Sequence, residues 1–328
     1  MAPVINFFLL TFKEIFRINI SLFKVMIPAV IIVKILEELG AIKYISFALA
    51  PLMQLVGLPE EAAIVWAGTI LTTTYTGMVL FFDAFKDNPL TIAQTTVLTT
   101  MMLFAHGLPI ELAITRKAGL KILYGFVIRF GFGLLAGFLL HHLYRHFQLL
   151  QADTPLLWQP NPEEGGLIGW TLGQLQSFLY IIMIISALVF GLKILRIIGI
   201  ETLLIWLLTP FLKLIGISKN AASFTLVGVT LGVSFGGGLL IDEAKKGLID
   251  KKDMFLSLSL LCLCHSLIED TLLMMVLGGD LTGLLLFRLL FSFVIMLIIA
   301  RLYDILSAAN REKYLITSVT DSIVEKQK

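Results

Sequence analysis

Residues 28–144 return at 187–303, displaced by 159 positions with no gap. In so apolar a chain, Leu meeting Leu carries little weight, and the scarcer residues make the case. Pro51 meets Pro210, Gly57 meets Gly216, and Ala62 and Ala63 meet Ala221 and Ala222. Gly77 meets Gly236, Asp83 meets Asp242, His106 meets His265 and Gly119 meets Gly278. Arg129 meets Arg288, Tyr144 meets Tyr303, and Glu111 faces Asp270, so the acid is kept in kind. An internal repeat constrains architecture before any other feature does. The chain must build two similar halves.

Composition places those halves in a bilayer. The chain is 58% hydrophobic and 15% charged, where soluble domains carry about 25% charged residues. Several apolar runs approach the roughly 20 residues that a spanning helix needs. A net charge of +2, with Lys and Arg scattered among loops, excludes a nucleic-acid partner. The partners expected are the lipid bilayer and a small solute or ion, and a homo-oligomer is admitted. Cys262 and Cys264 point about 200° apart on a helix, so no disulfide framework is expected. Residues 1–19 lack a cleavage site after the short stretch Phe7–Phe12 and read as an amphipathic helix in the interface.

The fold class expected is all-α and polytopic, with about ten transmembrane segments as two inverted five-segment repeats with broken helices. The first repeat occupies 20–144, with segments near 20–40, 42–57, 61–84, 91–115 and 120–143. A linker covers 145–169. The second repeat occupies 170–303, with segments near 171–192, 200–215, 221–241, 254–277 and 282–302. A polar tail covers 304–328. The second segment of each repeat is short and holds a proline, Pro51 or Pro210, which leaves a full crossing open to question. An odd count per repeat inverts one half against the other, and the charges agree. Lys245, Lys246, Lys251 and Lys252 mark one loop as cytoplasmic, while its counterpart AFKDNPLT has a single lysine. One segment later the bias flips: Arg116, Lys117 and Lys121 face a counterpart that carries only Glu269, Asp270 and Asp280. Asp153, Glu163 and Glu164 put the linker outside. Lys43, Lys213 and Lys219 run against the scheme. Both termini are expected inside, in the cytoplasmic membrane of a bacterium or archaeon.

The third segments are unusual for spanning helices. One reads GTILTTTYTGMVLFFD, with Thr73, Thr74 and Gly77. The other reads GVTLGVSFGGGLLID, with Ser234, Gly236 and Gly237. Successive glycines weaken a helix by about 1 kcal/mol each. Broken backbone at membrane depth survives only inside protein or against a water-filled cavity. The expectation is a discontinuous helix whose ends line a substrate site; the alternative is close helix contact through small residues.

The fourth segments hold His106 and His265 near their middles. Gly107 and Pro109 interrupt the first. His265 and Glu269 are four apart and would share a helix face, with Asp270 beside them. Ionisable groups at this depth are functional-site hypotheses by default. An inverted pair would bring the two histidines together with Glu111 and Asp270. Such a group suits a divalent transition metal as the transported species, with His106, His265, Glu269 and Asp270 as its ligands. It equally suits a proton relay, since histidine changes charge near neutral pH. Packing alone is the plainer reading for any single histidine. Met101, Met102, Met274 and Met275 read as core filler, and His141, His142 and His146 as a solvated interface. Asp83 and Asp242 end the broken segments, and Arg129 and Arg288 need partners, either Glu111 and Asp270 or an anionic substrate.

At these residues the chain resembles the nucleoside-recognition, or Gate, family. The resemblance rests on about 28–118 and 187–277. Each stretch has G-[LI]-x3-AA, a Thr/Gly-rich segment ending L-x2-D, and a polar segment with a central His. That family includes the membrane gates of bacterial ferrous-iron transporters, the spore maturation proteins A and B, and a segment of concentrative nucleoside transporters. The resemblance implies two Gate units whose broken segments form a path, with Thr74, Gly77, Ser234 and Gly236 lining it. There is no G-x4-GK-[ST] loop, so pumping must draw on a gradient or a partner; proton and sodium are both candidate coupling ions.

The function expected is a secondary transporter of a small polar or ionic solute. A divalent metal cation is favoured slightly over a nucleoside-like or organic anion solute. The alternative is a membrane assembly partner that transports nothing. No enzymatic activity is expected: an intramembrane metallohydrolase using His265, Glu269 and His106 lacks its H-E-x-x-H helix.

Overall fold

Helices carry nearly the whole chain. The computed structural model describes residues 2–155, 166–246 and 249–317. Among them there is no β-strand, only two isolated bridges, Thr91 with Asp153 and Leu120 with Ile316. The expected linker residues 156–165, including Glu163 and Glu164, and the tail beyond 317 lie outside the described residues.

The first half opens with α1, Ala2–Glu38. The helix passes through residues 19 and 20 without a break, because no Gly or Pro interrupts residues 4–27. Then come α2 (Ala41–Leu55), α3 (Ala62–Leu71), α4 (Thr74–Ala84), α5 (Ile92–Phe104) and α6 (Leu108–Lys117). A continuous run closes the half: α7 (Ile122–Phe126), a π-helical turn at Val127–Gly131, and α8 (Phe132–His146). The second half repeats the order with α9 (Leu167–Ile198), α10 (Ile200–Ile215), α11 (Lys219–Leu231), α12 (Val233–Lys245), α13 (Lys251–Leu263) and α14 (Glu269–Val276). A second π-helical turn at Thr282–Phe287 leads into α15 (Arg288–Ile305), and a short α16 (Ala308–Tyr314) follows. Pro51 and Pro210 sit inside α2 and α10 without ending them.

Local chemistry sets the starts. Thr91 and Gln94 form a reciprocal capping box at α5, and Asp250 caps α13 through the backbone N–H of Asp253. Thr73 caps α4 by accepting from the Thr76 backbone N–H. The third segments are therefore broken, at Thr72–Thr73 and at Gly232, where φ is +101°. The run Gly236–Gly238 is not the break; it lies inside α12 as regular helix. Gly236 is there for close approach, since a Cβ on it would overlap the Gly228 backbone of α11.

The molecule exposes apolar side chains, while polar ones are buried within its apolar core. Leu172, Leu175, Leu179 and Met183 on α9 are 56–60% exposed, whereas Thr95, Thr96, Thr99 and Thr100 on α5 are fully buried. A helix apolar all round and exposed makes sense only against lipid. Among the described residues five runs are long and apolar enough to cross: Leu9–Leu36, Ile92–Lys117, Ile122–His146, Ile168–Ile198 and Thr282–Ile305. This is an all-α membrane protein.

The halves interlock. α5 lies along the second π turn, and α6 lies against α12. Phe104 meets Phe291 edge-on at 5.6 Å. Tyr144 and Thr282 hydroxyls are 2.9 Å apart, and those of Tyr124 and Ser259 are 2.8 Å apart.

Candidate functional site

The histidines sit where the fourth segments break. α5 ends at Phe104, and Gly107 then turns left-handed at φ +54° before α6 begins. α13 ends at Leu263, and Ser266, the counterpart of Gly107, takes φ +47°. Each break frees backbone groups that lipid could not satisfy. The broken third segment of the same half satisfies them: Gly107 N–H donates to Thr69 O at 3.0 Å, and Leu267 N–H to Val229 O at 2.9 Å.

Two left-handed turns thus aim two imidazoles at one point. His106 Nε2 and His265 Nε2 are 3.1 Å apart, and both rings are buried. The Nδ1 atoms face backbone carbonyls, that of His106 at 2.9 Å from Met102 O and that of His265 at 2.7 Å from Leu261 O. A carbonyl only accepts, so both Nδ1 atoms carry hydrogen. In neutral rings both Nε2 atoms then present lone pairs to one another. Two facing lone pairs repel unless a proton or a cation lies between them.

Carboxylates surround that point. Glu111 Oε1 is 3.3 Å from His106 Nε2, and Glu111 Oε2 is 3.5 Å from His265 Nε2. Asp270 Oδ2 is 3.8 Å from His106 Nε2. A tetrahedral metal with ligand bonds near 2.0–2.1 Å spaces its ligand atoms about 3.3 Å apart. His106, His265 and Asp270 form a compact ligating set, each offering an atom within 4.8 Å of the others.

Two buried arginines hold the breaks. Arg129 donates from Nε to Phe104 O at 3.1 Å and from Nη2 to His106 O at 3.0 Å, and it pairs with Glu111. Arg288 repeats one of these bonds, from Nη2 to His265 O at 3.0 Å. Its Nε and Nη1, like Asp270 Oδ2, have no hydrogen-bond partner among the described residues.

The expected helix face shared by His265 and Glu269 is not formed, because the Ser266 turn separates them. Glu269 opens α14 and accepts from the Tyr75 hydroxyl at 3.1 Å. Glu111, rather than Glu269, stands beside the imidazoles. Thr73 and Thr74 lie at the α4 break. Gly77 faces α3, where a Cβ would overlap Thr69 Oγ1, and Gly237 faces Ile114 of α6. Ser234 lies in the α12 backbone, and its side chain is outside the described residues. Cys262, Cys264, Met101, Met102 and Met274 are buried core. Sequence reasoning missed Tyr75 and did not foresee the grip of the arginines on the breaks.

Residues 20–121 match the Gate family model, described as nucleoside recognition. The chain is 27% identical over 301 residues to YvoD, an uncharacterized membrane protein of Bacillus subtilis (strain 168). That similarity spans 87% of this chain and 91% of YvoD. No solved structure matches. The matched stretch contains α2 to α6, and with them His106 and Glu111. The chain is a membrane protein with a Gate, or nucleoside-recognition, domain at residues 20–121.

Proposed function

We propose that the chain is a secondary transporter that passes a small cation between its two halves, in the cytoplasmic membrane of a bacterium or archaeon. A divalent metal ion is the favoured substrate. The observation that carries this reading is the pair of Nε2 lone pairs 3.1 Å apart, each fixed by a backbone carbonyl and flanked by Glu111 and Asp270. Imidazole with carboxylate suits first-row divalent metals. The same lone pairs bind protons, so metal and proton compete for one point. That competition supplies a coupling without any nucleotide site: a proton that fills the pair on one side leaves as the metal enters on the other. The reading needs no catalytic step.

Metal retention tests it. Purified wild type and His106→Ala/His265→Ala are dialysed against mixed divalent metals, and the metal content is measured by elemental mass spectrometry. Wild type should retain one metal, less so at acidic pH because the ligands must be deprotonated. The double variant should retain none. Equal, negligible retention would remove the metal. A second reading, a nucleoside-like solute, is favoured by the description of the family that residues 20–121 match. It predicts thermal stabilisation by nucleosides and indifference to metals.

A further inference from the structure

A cavity of about 370 Å³ lies away from the histidine pair, where α5 begins and α8 ends. Its volume is that of a small-molecule site rather than of a single bound ion. Thr91 and Gln94 of the α5 start line it, with His141, Tyr144 and Arg145 of the α8 end and Gly57 opposite. No carboxylate is among the described residues that line it. Each of its three glutamines already donates one hydrogen bond from its amide nitrogen to a backbone carbonyl: Gln94 to Gly57 O, Gln148 to Arg145 O and Gln151 to Leu149 O. The guanidinium of Arg145 has no ion-pair partner among the described residues.

The duplication supplies an internal control. In the second half the counterparts of Thr91, Gln94 and Arg145 are Asp250, Asp253 and Asp304. There Tyr303, the counterpart of Tyr144, is covered by a cation from the chain itself, with the Arg311 guanidinium 4.5 Å over its ring. Asp304 pairs with Lys252 at 2.7 Å. In the second half the chain's own cations thus lie against Tyr303 and Asp304. In the first half an arginine replaces one of the three acids and neutral side chains replace the other two, and the space stays open. The wall is also particular to the first half. The His141 ring sits so close to Gly57 that a Cβ there would overlap it. At Gly216 the same Cβ would meet nothing, and Ala300 stands in place of His141.

We propose that this cavity binds a phosphate group, its charge met by the free fork of Arg145 with His141 beside it. The cavity lies at the end of the Ile122–His146 span, the level of lipid headgroups. The phosphate therefore belongs either to a free solute or to a headgroup.

The experiment uses the full chain, as wild type, Arg145→Gln, His141→Ala and, as a control on the opposite half, Lys252→Gln. One arm titrates glycerol 3-phosphate by calorimetry at fixed ionic strength in detergent. The other counts retained phosphatidylglycerol by native mass spectrometry. Saturable binding in the first arm identifies a free solute, and retention in the second a headgroup. In either case Arg145→Gln should weaken it roughly tenfold or more, His141→Ala should weaken it, and Lys252→Gln should leave it unchanged. Arg145 is exposed, so its loss leaves folding intact, which the melting temperature verifies. No saturable binding in either arm, or binding that Arg145→Gln leaves unchanged, overturns the proposal.

Discussion

Arg129 and Arg288 occupy equivalent positions and are both fully buried, yet their partners are unequal. Arg129 holds two carbonyls and Glu111, while Arg288 holds one carbonyl. The ion-pair part of the difference goes with one methylene group: the counterpart of Glu111 is Asp270, whose shorter side chain makes no ion pair with Arg288 among the described residues. Breaking a buried ion pair from one side strands the other charge, at about 3–5 kcal/mol. Arg129→Met should cost that much, seen as a lower unfolding midpoint in detergent. Arg288→Met removes one carbonyl bond and two unpartnered donors, and should cost only about 1–3 kcal/mol. Equal losses would contradict this account of the asymmetry. The histidine pair and Glu111 were legible because each has a counterpart 159 residues away. The Tyr75–Glu269 hydrogen bond was not: the counterparts are Ser234 and Ile110, so symmetry offered nothing to match.

The breaks were legible as a feature of the segments, but not at every residue. Gly107 announces a left-handed turn, and it makes one. Ser266 makes the same turn without the glycine that would have announced it, which is why His265 and Glu269 read as neighbours on one helix. The Gly236–Gly238 run misled in the other direction, since successive glycines serve a close crossing as readily as a break. The two uses separate by mutation. A Cβ at Gly236 would meet the Gly228 backbone, which cannot yield as a side chain end can. A Cβ at Gly238 would meet nothing within 4 Å. Gly236→Ala should therefore destabilise by about 1–3 kcal/mol, as overpacking does. Gly238→Ala should be neutral, or stabilise by up to about 1 kcal/mol, because alanine is the better helix former. Thermal unfolding of the two purified variants decides. Equal tolerance would mean that α11 and α12 do not cross this closely.

At the scale of the whole molecule the charges sort to two ends. The loop at Lys121 donates its backbone N–H to Leu315 O, and Lys251 and Lys252 pair with Glu312 and Asp304. One end therefore gathers both basic loops and α16. At the other end Thr91 bridges Asp153, a Cβ at Gly278 would meet Thr154, and the Asp280 N–H donates to Thr96 Oγ1. That end carries Asp87, Asp153 and Asp280. The Ile122–His146 run separates the two ends by roughly 37 Å at 1.5 Å per residue. Loops equivalent by sequence, 85–91 and 244–250, thus fall at opposite ends, as do 118–121 and 277–280. From the positive-inside rule we propose that the basic end faces the cytoplasm. Single cysteines test this in intact cells with a membrane-impermeant maleimide. The native Cys262 and Cys264 are buried and give little background. Asp87→Cys and Asp280→Cys should label from outside. Lys121→Cys and Lys252→Cys should label only after the cells are permeabilised. If Asp87→Cys and Lys252→Cys label from the same side, the halves are not inverted, and the histidines cannot be symmetry partners across the membrane plane.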